Sequence, residues 1–262
     1  MKINQSILWS CLFLTQSVLA MATESPRPIQ DQNHQDMAKA KSPQDKADMG
    51  AMDMGYKHDM VMPFFTHMGM PEPFGSHSLS LSGLSTSAGG RSINDLSFQY
   101  MVGLSDRLGV NFRSDEFTTG SEAEVMFQYA AIRSRDRMSG ICPMLEIEFP
   151  TKRSGSGIKT IVGFSSAQVQ PNGTFDGAFH YNLAERKFEG SVSYVSRACQ
   201  GFYPIVELIG TAELHQMPTL DILVGPKFKT GKNSKVGIAY QSPISDRKDY
   251  GSRFIVQFDF RW

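Results

Sequence analysis

The last ten residues of the chain alternate. Phe254, Val256, Phe258, Phe260 and Trp262 are apolar, and Arg253, Gln257, Asp259 and Arg261 stand between them, with Ile255 breaking the rule. A period of two puts successive side chains on opposite faces of a strand, so one face here is aromatic and the other polar. Weaker versions recur upstream. Leu79 and Leu81 lead to Gly83; Leu96, Phe98, Tyr100 and Val102 follow, then Leu108, Val110 and Phe112, then Val125, Phe127, Tyr129 and Ala131. Leu145, Ile147 and Phe149 alternate with Glu146 and Glu148, and six more short segments fall at 158–164, 175–183, 188–195, 203–208, 220–228 and 236–240. Gly, Asn, Asp, Ser and Lys separate them, as strand-and-turn chains require. The pattern predicts an all-β domain of about twelve antiparallel strands over residues 76–262.

A sheet of that size closes in one of two ways. A soluble sandwich or lipocalin-like barrel turns its apolar face inward. A transmembrane β-barrel turns it toward lipid and keeps Glu146, Glu148, Arg133 and Asp259 in the lumen. The strands approach the roughly 9 to 11 residues that a tilted membrane strand needs. Tyr100, Tyr129, Tyr203, Tyr240 and Trp262 sit where interfacial girdles belong, and a final aromatic residue resembles the assembly signal of bacterial outer-membrane barrels. In hydrocarbon every backbone amide must be paired, which a closed barrel achieves. The expectation is therefore an outer-membrane barrel, with an even strand number placing both barrel ends, and the N-terminal tail, in the periplasm.

Residues 1–20 read as a signal peptide: Lys2, an apolar stretch from Ile7 to Leu14, and Val18-Leu19-Ala20 before the cleavage point. Export to the cell outer membrane of a Gram-negative bacterium follows, with lipid and the barrel assembly machinery as partners. Cys142 and Cys199 are the mature cysteines, and both fall near the periplasmic rim with four strands between them. Neighbouring strands are about 4.8 Å apart, so the two are expected to remain separate thiols.

Residues 21–75 have a different composition. Pro26, Pro28, Pro43, Pro63, Pro71 and Pro73 interrupt a polar stretch with no apolar periodicity, which on its own buries too little to offset chain entropy. It is expected to be a disordered Met/His-rich segment. Eight of the fifteen methionines lie between Met37 and Met70, with His34, His58 and His67 among them.

The runs MPFFTHMGMPEPFG (62–75), EVMFQYAAIRSRDRMSG (124–140) and LEIEFPT (145–151) together resemble a group of exported bacterial outer-membrane β-barrel transporters. The layout is also similar to the transporter family linked to the meta-pathway of phenol degradation, whose barrels carry a Pro-Thr at a strand end. Here Lys152 follows Thr151 where many relatives have Gly. The resemblance spans roughly residues 60–262 and implies a transporter barrel without catalytic residues and without a defined substrate.

The local chemistry points to soft metals. A thioether is a neutral, soft donor suited to Cu(I) or Ag(I). Met49, Met52 and Met54, then His58, Met60 and Met62, then His67, Met68 and Met70 supply closely spaced donors on a flexible backbone. The alternatives are that the segment docks a periplasmic partner, plugs the barrel, or is merely a linker.

Other classes recede. Lys+Arg and Asp+Glu are both 26, with no basic cluster, which speaks against nucleic acid. No Gly-x-Ser-x-Gly, His-Glu-x-x-His, Cys-x-x-Cys or phosphate loop occurs, so the chain is not expected to be an enzyme. A lipid-acting barrel enzyme would need a pair such as His180 with Ser191 or Ser193. The alternation instead makes His180 a luminal histidine between Phe179 and Tyr181. Three functions remain: an outer-membrane channel, a barrel-anchored metal-binding or docking module without pore activity, and that lipid-acting enzyme.

Overall fold

The structure is a computed structural model that describes residues 60–114, 122–134, 138–150, 157–197, 199–214 and 216–262. Thus the signal peptide, Met49, Met52, Met54, His58 and His215 lie outside the described residues.

The strands are β1 (His77–Ala88), β2 (Arg91–Gly103), β3 (Leu108–Ser114), β4 (Ala123–Tyr129), β5 (Ile132–Arg133), β6 (Gly140–Phe149), β7 (Lys159–Gln170), β8 (Gly173–Asn182), β9 (Lys187–Ser196), β10 (Phe202–Glu213), β11 (Thr219–Lys229), β12 (Ser234–Pro243) and β13 (Ser252–Arg261). Each pairs antiparallel with its neighbours. β1 closes on β13 in a register from Ser78↔Arg261 to Ser87↔Ser252, and β4 closes on β6. β4 and β5 share the partner β6, at Met144–Phe149 and Gly140–Ile141 respectively, so they are one broken strand. Three residues, 129–131, face two on β6, a bulge beside Pro143, whose nitrogen has no proton for the ladder. The result is a closed transmembrane barrel of twelve antiparallel strands.

The faces are inverted relative to a soluble barrel. Leu81, Phe112, Phe127, Leu145, Phe164, Val206, Leu208, Phe254 and Phe258 are exposed on the outside, and the terminal Trp262 is 58 % exposed. Ser80, Asn111, Gln128, Asp176, Glu207, Lys227 and Gln257 are buried inside. An apolar outer band around a polar interior is the arrangement hydrocarbon demands. Aromatic contacts mark both rims. At the rim bearing the barrel's termini, Tyr100 lies near Trp262 and Phe175 near Tyr194, with ring centroids 6.4 and 4.6 Å apart. Toward the other rim Tyr181 and Phe188 approach to 4.4 Å.

One detail differs from expectation. Tyr203 is not a girdle residue: it pairs with Lys227 in the ladder and is buried in the lumen. The two cysteines are free thiols, as expected, Cys142 buried within β6 and Cys199 exposed in the β9–β10 turn.

Candidate functional site

The lumen is filled by the chain's own residues 60–74. The sequence places them in a disordered segment, yet Val61, Met62, Phe64, Thr66, His67, Met68, Met70 and Glu72 are all buried. Pro63, Pro71 and Pro73 keep the stretch out of the strand ladder by removing N–H donors and fixing φ. Its remaining backbone groups must then find partners elsewhere. The barrel wall provides them.

The segment enters near the termini, where Lys235 Nζ donates to the Met60 carbonyl at 3.0 Å. Lys227 Nζ donates to the Pro63 carbonyl at 3.2 Å. At mid-barrel the Glu207 carboxylate, itself 0 % exposed, takes the N–H groups of Phe64, Phe65 and Thr66 and the Thr66 hydroxyl. The chain then returns. Gln128 Nε2 donates to the Met68 carbonyl at 2.9 Å, and Gly69 N–H donates to Asp176 at 3.0 Å. Glu72 meets Arg261 at 2.9 Å, back at the rim of entry. At Gly69 a Cβ would lie 2.1 Å from the Ser166 carbonyl oxygen, so only glycine permits this approach to the wall.

Apolar contacts complete the fit. Val61 and Phe64 join inward-facing Leu84, Val195, Tyr203, Ile205, Leu223, Ala239 and Ile255. Lys227 Nζ lies 4.7 Å from the centre of the Phe64 ring and 2.7 Å from Asp259. Asp259 also accepts from Ser80 at 2.8 Å and Gln257 at 2.9 Å. Buried charges thus hold the segment while being satisfied by one another.

The expected sulfur donors separate. Met60, Met62 and Met68 gather with the wall residue Met101. Met70 is apart, its sulfur 3.7 Å from Cys142 Sγ. His67 joins neither group: its Nε2 accepts from Arg113 at 2.9 Å and its ring centroid is 4.6 Å from that of His180. Burial, with His180 and Arg113 adding to it, holds the His67 imidazole well below its ordinary pKa range. The wall groups Glu207, Asp176, Gln128 and Met101 were missed as site residues. Their only signal was an inward position in an alternating strand.

His180 does face the lumen, beside Glu146 at 3.8 Å, and its Nε2 has no hydrogen-bond partner. In the ladder His180 lies opposite Glu189, while Ser191 and Ser193 lie opposite Ala178 and Asp176.

The barrel has counterparts among solved structures. An outer-membrane channel from Pseudomonas putida F1 superposes with a TM-score of 0.52 at 9 % identity, covering 78 % of this chain and all of that one. The NanC porin gives 0.55 at 10 % identity, covering 70 % of this chain and 98 % of its own. The KdgM porin, also known in complex with oligogalacturonate, gives 0.53 at 10 % identity with the same coverage. The chain shares the barrel fold of these proteins. Comparison with known families and with curated proteins finds no match.

Proposed function

We propose that the protein is an outer-membrane channel closed from within by residues 60–74, with the terminus-bearing rim in the periplasm and the segment acting as a plug that handles a soft cation, Cu(I) or Ag(I). The observation that carries the channel reading is Glu207. A wholly buried carboxylate spends its acceptors on the backbone of Phe64, Phe65 and Thr66, a use that makes sense in a wall built to hold this segment. The porin-like fold and the resemblance to transporter barrels support it. The metal reading draws its support from Met60, Met62, Met68 and Met101, whose side chains pack in one cluster contributed by plug and wall.

Planar-bilayer recording tests the channel. Replacing residues 60–74 by a Gly/Ser stretch of equal length, or Glu207→Gln alone, is expected to raise open probability over the parent protein. A folded, heat-modifiable barrel that never conducts after that replacement would leave the protein an anchored binding module. Met60, Met62, Met68 and Met101 replaced by Leu keep bulk and lose sulfur, so Ag(I) affinity should fall by orders of magnitude. Unchanged affinity would reject the thioether site.

A further inference from the structure

Where the segment turns, two imidazoles and a carboxylate converge. His67 belongs to the plug, His180 to β8 and Glu146 to β6, and one donor atom from each lies within 4.8 Å of the other two. Both histidines are 8 % exposed. His67 Nδ1 and His180 Nε2 are buried without a hydrogen-bond partner. Two imidazoles in contact, each with an unmatched polar nitrogen, are costly as a purely structural device. The group is distinct from the thioethers, which gather around Met101.

We propose that His67, His180 and Glu146 form a site for a divalent transition-metal ion, Zn²⁺ or Cu²⁺, that staples the plug to the barrel wall. The chemistry fits in four respects. Two neutral imidazoles and one carboxylate are a borderline ligand set for such ions, with room for water as a fourth ligand. Tetrahedral donors at 2.1 Å from a metal are about 3.4 Å apart, so the site must close by at most about 1.4 Å, which side-chain torsions supply. Arg113 can only donate, so His67 Nε2 carries the lone pair and the unpartnered Nδ1 the proton; a metal at Nε2 would take the place of Arg113. Arg113 has somewhere to go, because its Nε already lies 3.4 Å from Glu124. Finally, Glu124 and Glu148 lie beside Glu146, all three within 4.8 Å; Arg113 and Lys159 offset two of these carboxylates, which leaves one negative charge to favour a divalent guest.

Metal binding by this group stands by itself; its consequence for gating rests on the plug reading above. A ligand that bridges plug and wall binds the closed state and loses one of its three ligands, His67, in the open one. It must therefore shift the population toward closure.

The experiment uses the full chain, folded in detergent, with Co²⁺ as a spectroscopic probe. One equivalent is expected to give visible d–d absorption, to be displaced by Zn²⁺ and to be unaffected by Mg²⁺. His67→Ala and His180→Ala should each weaken binding by about 100-fold or more. His67→Ala leaves the wall untouched, so it serves if the β8 variant fails to fold. Co²⁺ binding that is equal in both variants and the parent would place the ion elsewhere and overturn the site. In bilayers Zn²⁺ should suppress openings of the parent channel but not of His180→Ala. If Co²⁺ binding follows the histidines while a barrel with residues 60–74 replaced never conducts, the site stands and the channel reading falls. If that barrel conducts and Co²⁺ binding ignores the histidines, the reverse holds.

Discussion

The ring of Phe64 lies in the space that a side chain on Gly237 would need: a Cβ there would meet Phe64 ring atoms and Lys227 Cγ at 2.8 Å. The absent side chain on β12 is therefore the seat of the plug. In an ordinary strand this glycine would only cost stability.

Gly237→Val should unseat Phe64 without disturbing the ladder, since valine is a good strand former. The expected result is a heat-modifiable barrel with raised open probability and a segment newly sensitive to protease. A variant as closed as the parent would mean that Phe64 has another equally good position.

The Lys227–Asp259 pair, 2.7 Å long with Lys227 0 % exposed, predicts a strong non-additivity. Lys227→Met leaves Asp259 as an uncompensated buried carboxylate and should cost about 3 kcal/mol or more. The double change Lys227→Met with Asp259→Leu should cost less than the single one. Urea titration of the refolded barrel, analysed as a double-mutant cycle, measures this. A double variant as unstable as the sum of the singles would deny the coupling.

The last residue closes the barrel seam. Trp262 N–H donates to the His77 carbonyl at 3.0 Å, His77 N–H donates back at 2.9 Å, and the two rings stack with centroids 5.9 Å apart. Deleting Phe260 to Trp262 also removes the pairings of Leu79 with Phe260 and Ser78 with Arg261. Cell fractionation should then find no heat-modifiable barrel in the outer membrane, although export continues. Normal assembly of the truncated chain would show that the seam closes without its last pairs.

The two thiols should respond differently to alkylation. Cys199 is exposed and Cys142 is enclosed with Met70, Ala130 and Ala167. A maleimide should label one site in the folded protein and both after denaturation, read by mass. If removal of residues 60–74 exposes Cys142 to the reagent, the same assay reports on the plug.

How much of this is legible without coordinates depends on the range of the interaction. A period of two is a property of neighbouring residues. It therefore determines by itself that Phe258 and Phe260 face one way and Gln257 and Asp259 the other, that His180 and Glu146 lie on the polar face of their strands, and that about twelve such strands form a sheet that has to close. Where two aromatic residues are adjacent the signal is ambiguous: Phe202 and Tyr203 could exchange faces, and only the register that pairs Tyr203 with Lys227 turns it inward. The plug is legible in the sequence only as one alternative beside docking and a linker, for a different reason. Met62 to Gly75 has no periodicity and several prolines, so locally it reads as chain that cannot fold. Its partners are side chains on remote strands, Glu207 being 143 residues from Phe64. Local pattern decides which face a side chain takes; barrel closure alone decides that a carboxylate on β10, a lysine on β11 and a glycine on β12 converge on the same residue, Phe64.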